Sequence, residues 1–136
     1  MLRLRLAEEL AFQSAPADEQ LDFMARHNWD AMELLKLYLN QSSVLVPQLA
    51  KAGLLSPRVV ECTETLEEAL LSLDRELAEE YRRTGAIEAL TPEGIRQDPR
   101  WEVIRVIARR ALDALKDLGV SAPDLLDPKY NRPVFD

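Results

Sequence analysis

DPRWEVIRVIARRALDALKDLG, residues 98 to 119, decides the fold. Asp98 suits a helix N-cap, Pro99 the first helical position, and Gly119 the position just past the end. Between them Trp101, Ile104, Ile107, Ala108, Ala111, Leu112, Leu115 and Leu118 recur at steps of three and four, one face of an α-helix. Val103 and Ala114 widen that face to about half the circumference. A stripe so wide needs more than one neighbour. The spacing therefore predicts a helix at the packing centre of an all-α domain.

The segment before it supplies a partner. Leu66, Leu70, Leu73, Leu77 and Tyr81 alternate steps of four and three, and Gly85 closes the run. Ser56-Pro57 opens this region, and Thr65 and Glu68 have capping-box spacing, so a restart near residue 65 is expected. Thr91-Pro92-Glu93-Gly94 reads as a capped single turn in the connection. An antiparallel pair, 65–84 against 99–118, follows. Residues 57–80 carry eight acidic and two basic side chains; residues 81–116 carry eight basic and five acidic. The two helices are therefore complementary neighbours or oppositely charged solvated faces.

Toward the N-terminus the pattern is less regular. Residues 2–13 begin in alternation, then Leu6, Leu10 and Gln13 with Ala7 and Ala11 take a helical rhythm, so a helix is expected. From Pro16, the phase Leu21, Ala25, Asn28, Met32, Leu35, Leu39 favours one helix over 16–40, the alternative being a break at His27-Asn28. Asn40-Gln41-Ser42-Ser43 reads as a connection, followed by a short helix from Pro47 to Ala52 and a stop at Gly53.

Beyond Gly119 the chain is punctuated by Pro123, Pro128 and Pro133, and residues 128–136 should be extended. That tail carries Tyr130, Val134 and Phe135, which suit docking on the domain or on a partner. The expected architecture is thus all-α: a single-domain helical bundle of about five helices over residues 1–127, with an extended C-terminal tail.

A chain of 136 residues, 47% hydrophobic and 30% charged, can bury a core without staples. The net charge of −7 argues against general nucleic-acid binding and favours a basic partner. Cys62 is the only cysteine, so an internal disulfide and a Cys-based zinc site are excluded. No stretch approaches the ~18 apolar residues of a membrane span, and the start lacks a signal-peptide core, so the cytoplasm is the expected location.

Catalytic signatures do not emerge. His27 stands alone, Cys62 lies in VVECTE, and the four glycines are dispersed, which excludes phosphate-cradling loops. Glu64/Glu68 and Glu76/Glu80 share helix faces, but the Glu-x-x-His elements of a two-metal bundle are missing. No catalytic, cofactor-binding or metal-ligating residue is assigned and no cofactor is expected.

Three functional readings follow. The first is a non-enzymatic protein–protein interaction module, a regulatory or accessory subunit or an immunity-type inhibitor, presenting an acidic helical surface. Its candidate partner-binding residues are Arg105, Val106, Arg109, Arg110, Tyr130 and Phe135, with homodimerisation as a further expectation. The second is a DNA-binding regulator using QLAKAGLLSPRVVE, residues 48–61, as a degenerate helix-turn-helix; its turn spacing is one residue short and Glu61 and Glu64 would face phosphates. The third is a helical-bundle hydrolase with a carboxylate site.

Overall fold

The computed structural model describes residues 2–120, and these residues form helices and turns without a strand. The described residues hold six α-helices: α1 (Leu2–Ser14), α2 (Ala17–Arg26), α3 (Met32–Lys51), α4 (Pro57–Thr84), α5 (Pro92–Gln97) and α6 (Pro99–Lys116), with a 3-10 turn at Glu88–Leu90 before α5.

α6 is the packing centre. Asp98 caps it by accepting a hydrogen bond from the Arg100 N–H at 2.9 Å, and Pro99 occupies the first turn. Trp101, Ile104, Ala108, Ala111, Leu112, Ala114 and Leu115 are buried, chiefly against α1 on one flank and α4 on the other. The Trp101 indole N–H donates to the Ala89 carbonyl at 2.8 Å, pinning the 3-10 turn to the helix start. Val103 is 56% exposed. The buried arc is therefore narrower than the spacing suggests.

The antiparallel pairing with α4 is present. At one end Arg100 bridges Glu76 at 3.1 Å and Glu80 at 3.2 Å; at the other Arg58 meets Asp117 at 3.4 Å. The acidic and basic helices are thus complementary at their junction. Arg100 also hydrogen-bonds Asp98, which holds that carboxyl below the usual carboxylate range. α4 does not restart at residue 65. Ser56 caps it through the Val59 N–H, and the Thr65 hydroxyl bonds back to the Glu61 carbonyl at 3.0 Å inside a continuous helix.

Two expectations fail between α1 and α4. Residues 16–40 form two helices, because Asn28 adopts the left-handed conformation (φ +55°) and the Trp29 N–H returns to the Met24 carbonyl at 2.8 Å, closing α2. The Asp30 carboxylate then accepts from the Met32 N–H at 2.8 Å and starts α3. Conversely, Asn40–Ser43 is no connection: α3 runs through it and through Pro47 to Lys51. Proline removes one helical hydrogen bond, at a cost of about 3 kcal/mol. Burial of Leu45, Val46 and Leu49 around it offsets that cost, at ~1.5–3 kcal/mol per side chain.

α3 and α4 form a long antiparallel hairpin. Lys36 pairs with Asp74 at 3.0 Å far from the turn, and the Tyr38 hydroxyl approaches the Thr63 carbonyl at 3.5 Å midway. The 48–61 stretch is the closing turn of that hairpin, with Gly53 at φ +74°. No described helix is long and apolar enough to cross a membrane. The tail beyond residue 120, including Tyr130 and Phe135, lies outside the described residues.

Candidate functional site

The surface expected on α6 does not assemble as a patch. Arg105 is buried, 2% exposed, because positions 101, 105, 108 and 112 share the core-facing stripe. Its guanidinium donates to the Ile95 carbonyl at 2.6 Å and to Gln20 Oε1 at 3.0 Å, and pairs with Glu102 at 3.3 Å. Gln20 in turn donates to the Phe12 and Gln13 carbonyls at 2.9 and 3.0 Å. Arg105 thus ties α1, α2, α5 and α6 together internally and is not available to a partner. Arg109 is exposed and caps the end of α1 through the Ser14 carbonyl at 3.1 Å. Val106 is half-buried and Arg110 is exposed.

A different constellation lies where α1, α3 and α4 meet. Glu9 and Gln13, one turn apart on α1, are both about 1% exposed. Gln13 uses its amide N–H₂ to hold the Leu34 carbonyl at 2.7 Å, which leaves its Oε1 without a partner. Both Glu9 carboxylate oxygens and the Ser42 hydroxyl are also buried without a hydrogen bond among the described residues. Burial pushes Glu9 up to about 7, and the nearby Ser42 hydroxyl and Arg5 charge offset part of that push. Ser42 and Glu9 are close enough to interact yet outside hydrogen-bonding geometry. Tyr38 is raised well above the usual phenol range by burial first, then by the charges of Glu9 and Glu67. The region is rich in acceptors and short of donors.

Ser42 also lines a cavity of about 170 Å³ between α3 and α4. α3 contributes Tyr38, Ser43, Val46, Pro47 and Ala50, and α4 contributes Val60, Thr63, Glu64 and Glu67. Thr63 is spent on the helix, donating to the Val59 carbonyl at 2.9 Å. Glu64 and Glu67 meet no cation within ion-pair distance among the described residues. Further round α4, Glu61 and Glu68 are exposed and likewise unpaired.

The sequence carried a signal for this cluster. Leu6, Glu9, Gln13 follow the helical phase, so two polar groups fall where Leu6 and Leu10 point. Reading that phase by position rather than residue type would have placed a carboxylate in the core. Ser42 gives no such signal, because the polar run Asn40–Ser43 reads as a connection. His27 packs between the Phe23 and Trp29 rings, with centroids at 4.3 and 5.6 Å. Among the described residues no group of three or more His, Cys, Asp or Glu side chains could hold a metal ion.

Because the Ser42 hydroxyl has no partner, its removal should cost nothing. Ser42→Ala is expected to leave stability unchanged or raise it by about 1 kcal/mol in urea titrations at pH 5.5, where Glu9 is protonated. A loss above 1 kcal/mol would show that the hydroxyl is bonded.

Comparison of the chain with family models, with curated proteins and with solved structures finds no match in any of the three.

Proposed function

We propose that the protein is a non-enzymatic interaction module, a regulatory or accessory subunit or an inhibitor, whose α4 surface engages a basic protein. One observation carries this reading. The N-terminal half of α4 presents Glu61, Glu64 and Glu68, exposed and without cations in ion-pair range among the described residues. Elsewhere α4 neutralises its charges: Glu76 and Glu80 on Arg100, Glu79 on Arg82, Asp74 on Lys36. Like charges at i,i+3 and i,i+4 repel by roughly 0.2–0.5 kcal/mol per pair. A cationic partner relieves that repulsion, and a charged face of one sign speeds its encounter. A second copy of this acidic chain suits the face less well than a basic protein does.

The Glu61→Gln/Glu64→Gln/Glu68→Gln variant tests the reading with two measurements. It is expected to gain about 0.5–1 kcal/mol of stability, since the repelling pairs are gone. In affinity capture from native lysate it should lose the basic protein that the unmodified chain retains at low salt and releases at high salt. If both proteins retain the same partners, or none, the acidic face is not an interaction surface.

A further inference from the structure

We propose that the cavity between α3 and α4 is a binding site for a primary alkylammonium group, brought by a small amine or by a lysine side chain. Its floor is Ser42, fully buried and with an unpartnered hydroxyl. Its α4 wall carries Glu64 and Glu67, three residues apart on one helix and without a cation in ion-pair range among the described residues. Val46 and Val60 give it apolar sides. The combination matches a group with a charged head, N–H donors and an aliphatic stem.

The chemistry of the missing partner follows from what the site lacks. Behind Ser42 stand the two Glu9 oxygens, so buried acceptors outnumber donors. Each such group left unpaired costs about 1–3 kcal/mol. An ammonium brings three donors and no acceptor. The Glu64 and Glu67 carboxylates supply charge complementarity to the ammonium head. A water takes about 30 Å³ in the liquid. A cavity of about 170 Å³ therefore holds a chain of about five heavy atoms. That is the size of n-butylammonium or of the end of a lysine. A metal ion is a poorer match, because the carboxylates at hand form no triad.

The site shares Glu64 with the acidic face of the protein-binding reading but does not depend on that reading, since Ser42 and Glu67 are not part of that face and Glu61 and Glu68 lie outside the cavity. The test is titration of the full chain with n-butylammonium chloride at constant ionic strength, followed by the backbone amide NMR signals of Ser42, Val46, Thr63 and Glu67. Saturable shifts confined to these residues are expected. Tetramethylammonium, equally charged but without N–H donors, should bind at least tenfold more weakly. Glu64→Gln/Glu67→Gln should weaken n-butylammonium binding at least tenfold and Ser42→Ala at least threefold, both variants keeping the helical circular-dichroism signal. Glu61→Gln/Glu68→Gln should bind it unchanged, which separates this site from the acidic surface. A blocked Gly-Lys-Gly peptide shifting the same signals identifies a lysine side chain as a ligand; shifts with the free amine alone identify a small amine. Absence of saturable shifts with both, or equal shifts with tetramethylammonium, overturns the proposal.

Discussion

Gly94→Ala should destabilise the protein by about 3 kcal/mol, the upper end of what overpacking usually costs. A Cβ built on Gly94 would lie 1.9 Å from the Glu88 carbonyl oxygen and 2.8 Å from the Ala89 Cα. Both are backbone atoms, so no side chain can swing away. The strain would spread because this corner holds two anchors. The Ala89 carbonyl receives the Trp101 indole, and the Ile95 carbonyl receives Arg105. Displacing the 3-10 turn from α5 therefore loosens a buried tryptophan and a buried guanidinium together. Gly85→Ala is the control. Gly85 sits at φ +76° in open space, so its substitution carries only the left-handed backbone penalty of roughly 1–2 kcal/mol. Urea unfolding followed by far-UV circular dichroism gives both values. A Gly94→Ala protein within 0.5 kcal/mol of the parent would mean that this corner is not close-packed.

The legible parts of the chain are those where local signals and burial agree. α6 has a cap, a first-turn proline, a continuous stripe and a terminal glycine, and each does what its type suggests. α4 shows the same agreement at Ser56-Pro57 and Gly85. Disagreement accounts for the misreadings. Pro47 and the polar run Asn40–Ser43 locally oppose a helix, but buried Leu45, Val46 and Leu49 on α3 carry it through. Asn28 continues an apolar phase, yet its side chain tolerates the left-handed backbone that ends α2.

The candidate site was less legible than the fold for a related reason. Here residue type and residue position disagree. Arg105 is an arginine, a type expected at the surface, yet it lies four residues after Trp101 and three before Ala108 on the buried stripe. Glu9 is a glutamate, a type expected at the surface, although its spacing from Leu6 and Gln13 points inward. Buried charge is rare enough that type is the better guide in most proteins. Positions where periodicity contradicts type are therefore the ones that single out Glu9 and Arg105. Arg105 finds partners for its charge in Gln20, Ile95 and Glu102. Among the described residues neither Glu9 oxygen has a hydrogen-bond donor, and that contrast sets the α1–α3–α4 cluster apart from the Arg105 cluster.

Glu9→Gln should therefore stabilise the protein, and the gain should depend on pH. Glu9 ionises near 7 in the folded chain against an ordinary 4.5, with burial as the main cause. Below pH 4.5 both folded and unfolded chains keep the proton, and the residue adds no pH dependence. Between 4.5 and 7 the unfolded chain ionises while the folded chain holds its proton, so stability falls as pH rises. Above 7 both are ionised and the folded chain bears the full penalty. At roughly 1.36 kcal/mol per pH unit, the interval from 4.5 to about 7 amounts to about 3 kcal/mol. The groups around the carboxyl are Arg5 and Glu8 on α1, Ser42 and Tyr38 on α3, and Glu67 beyond Tyr38 on α4. Glutamine keeps the shape, cannot ionise, and brings the N–H donors that Ser42 Oγ and Gln13 Oε1 lack. The two proteins should be nearly equal in urea stability at pH 4, and Glu9→Gln should lead by about 3 kcal/mol at pH 8. Comparing parent and variant cancels the titration of every other group, including Asp98, whose lowered carboxyl acts with the opposite sign as pH falls. Parallel pH profiles would show that Glu9 ionises normally in the fold, and the acceptor-rich interior on which the ammonium site rests would then have to be hydrated.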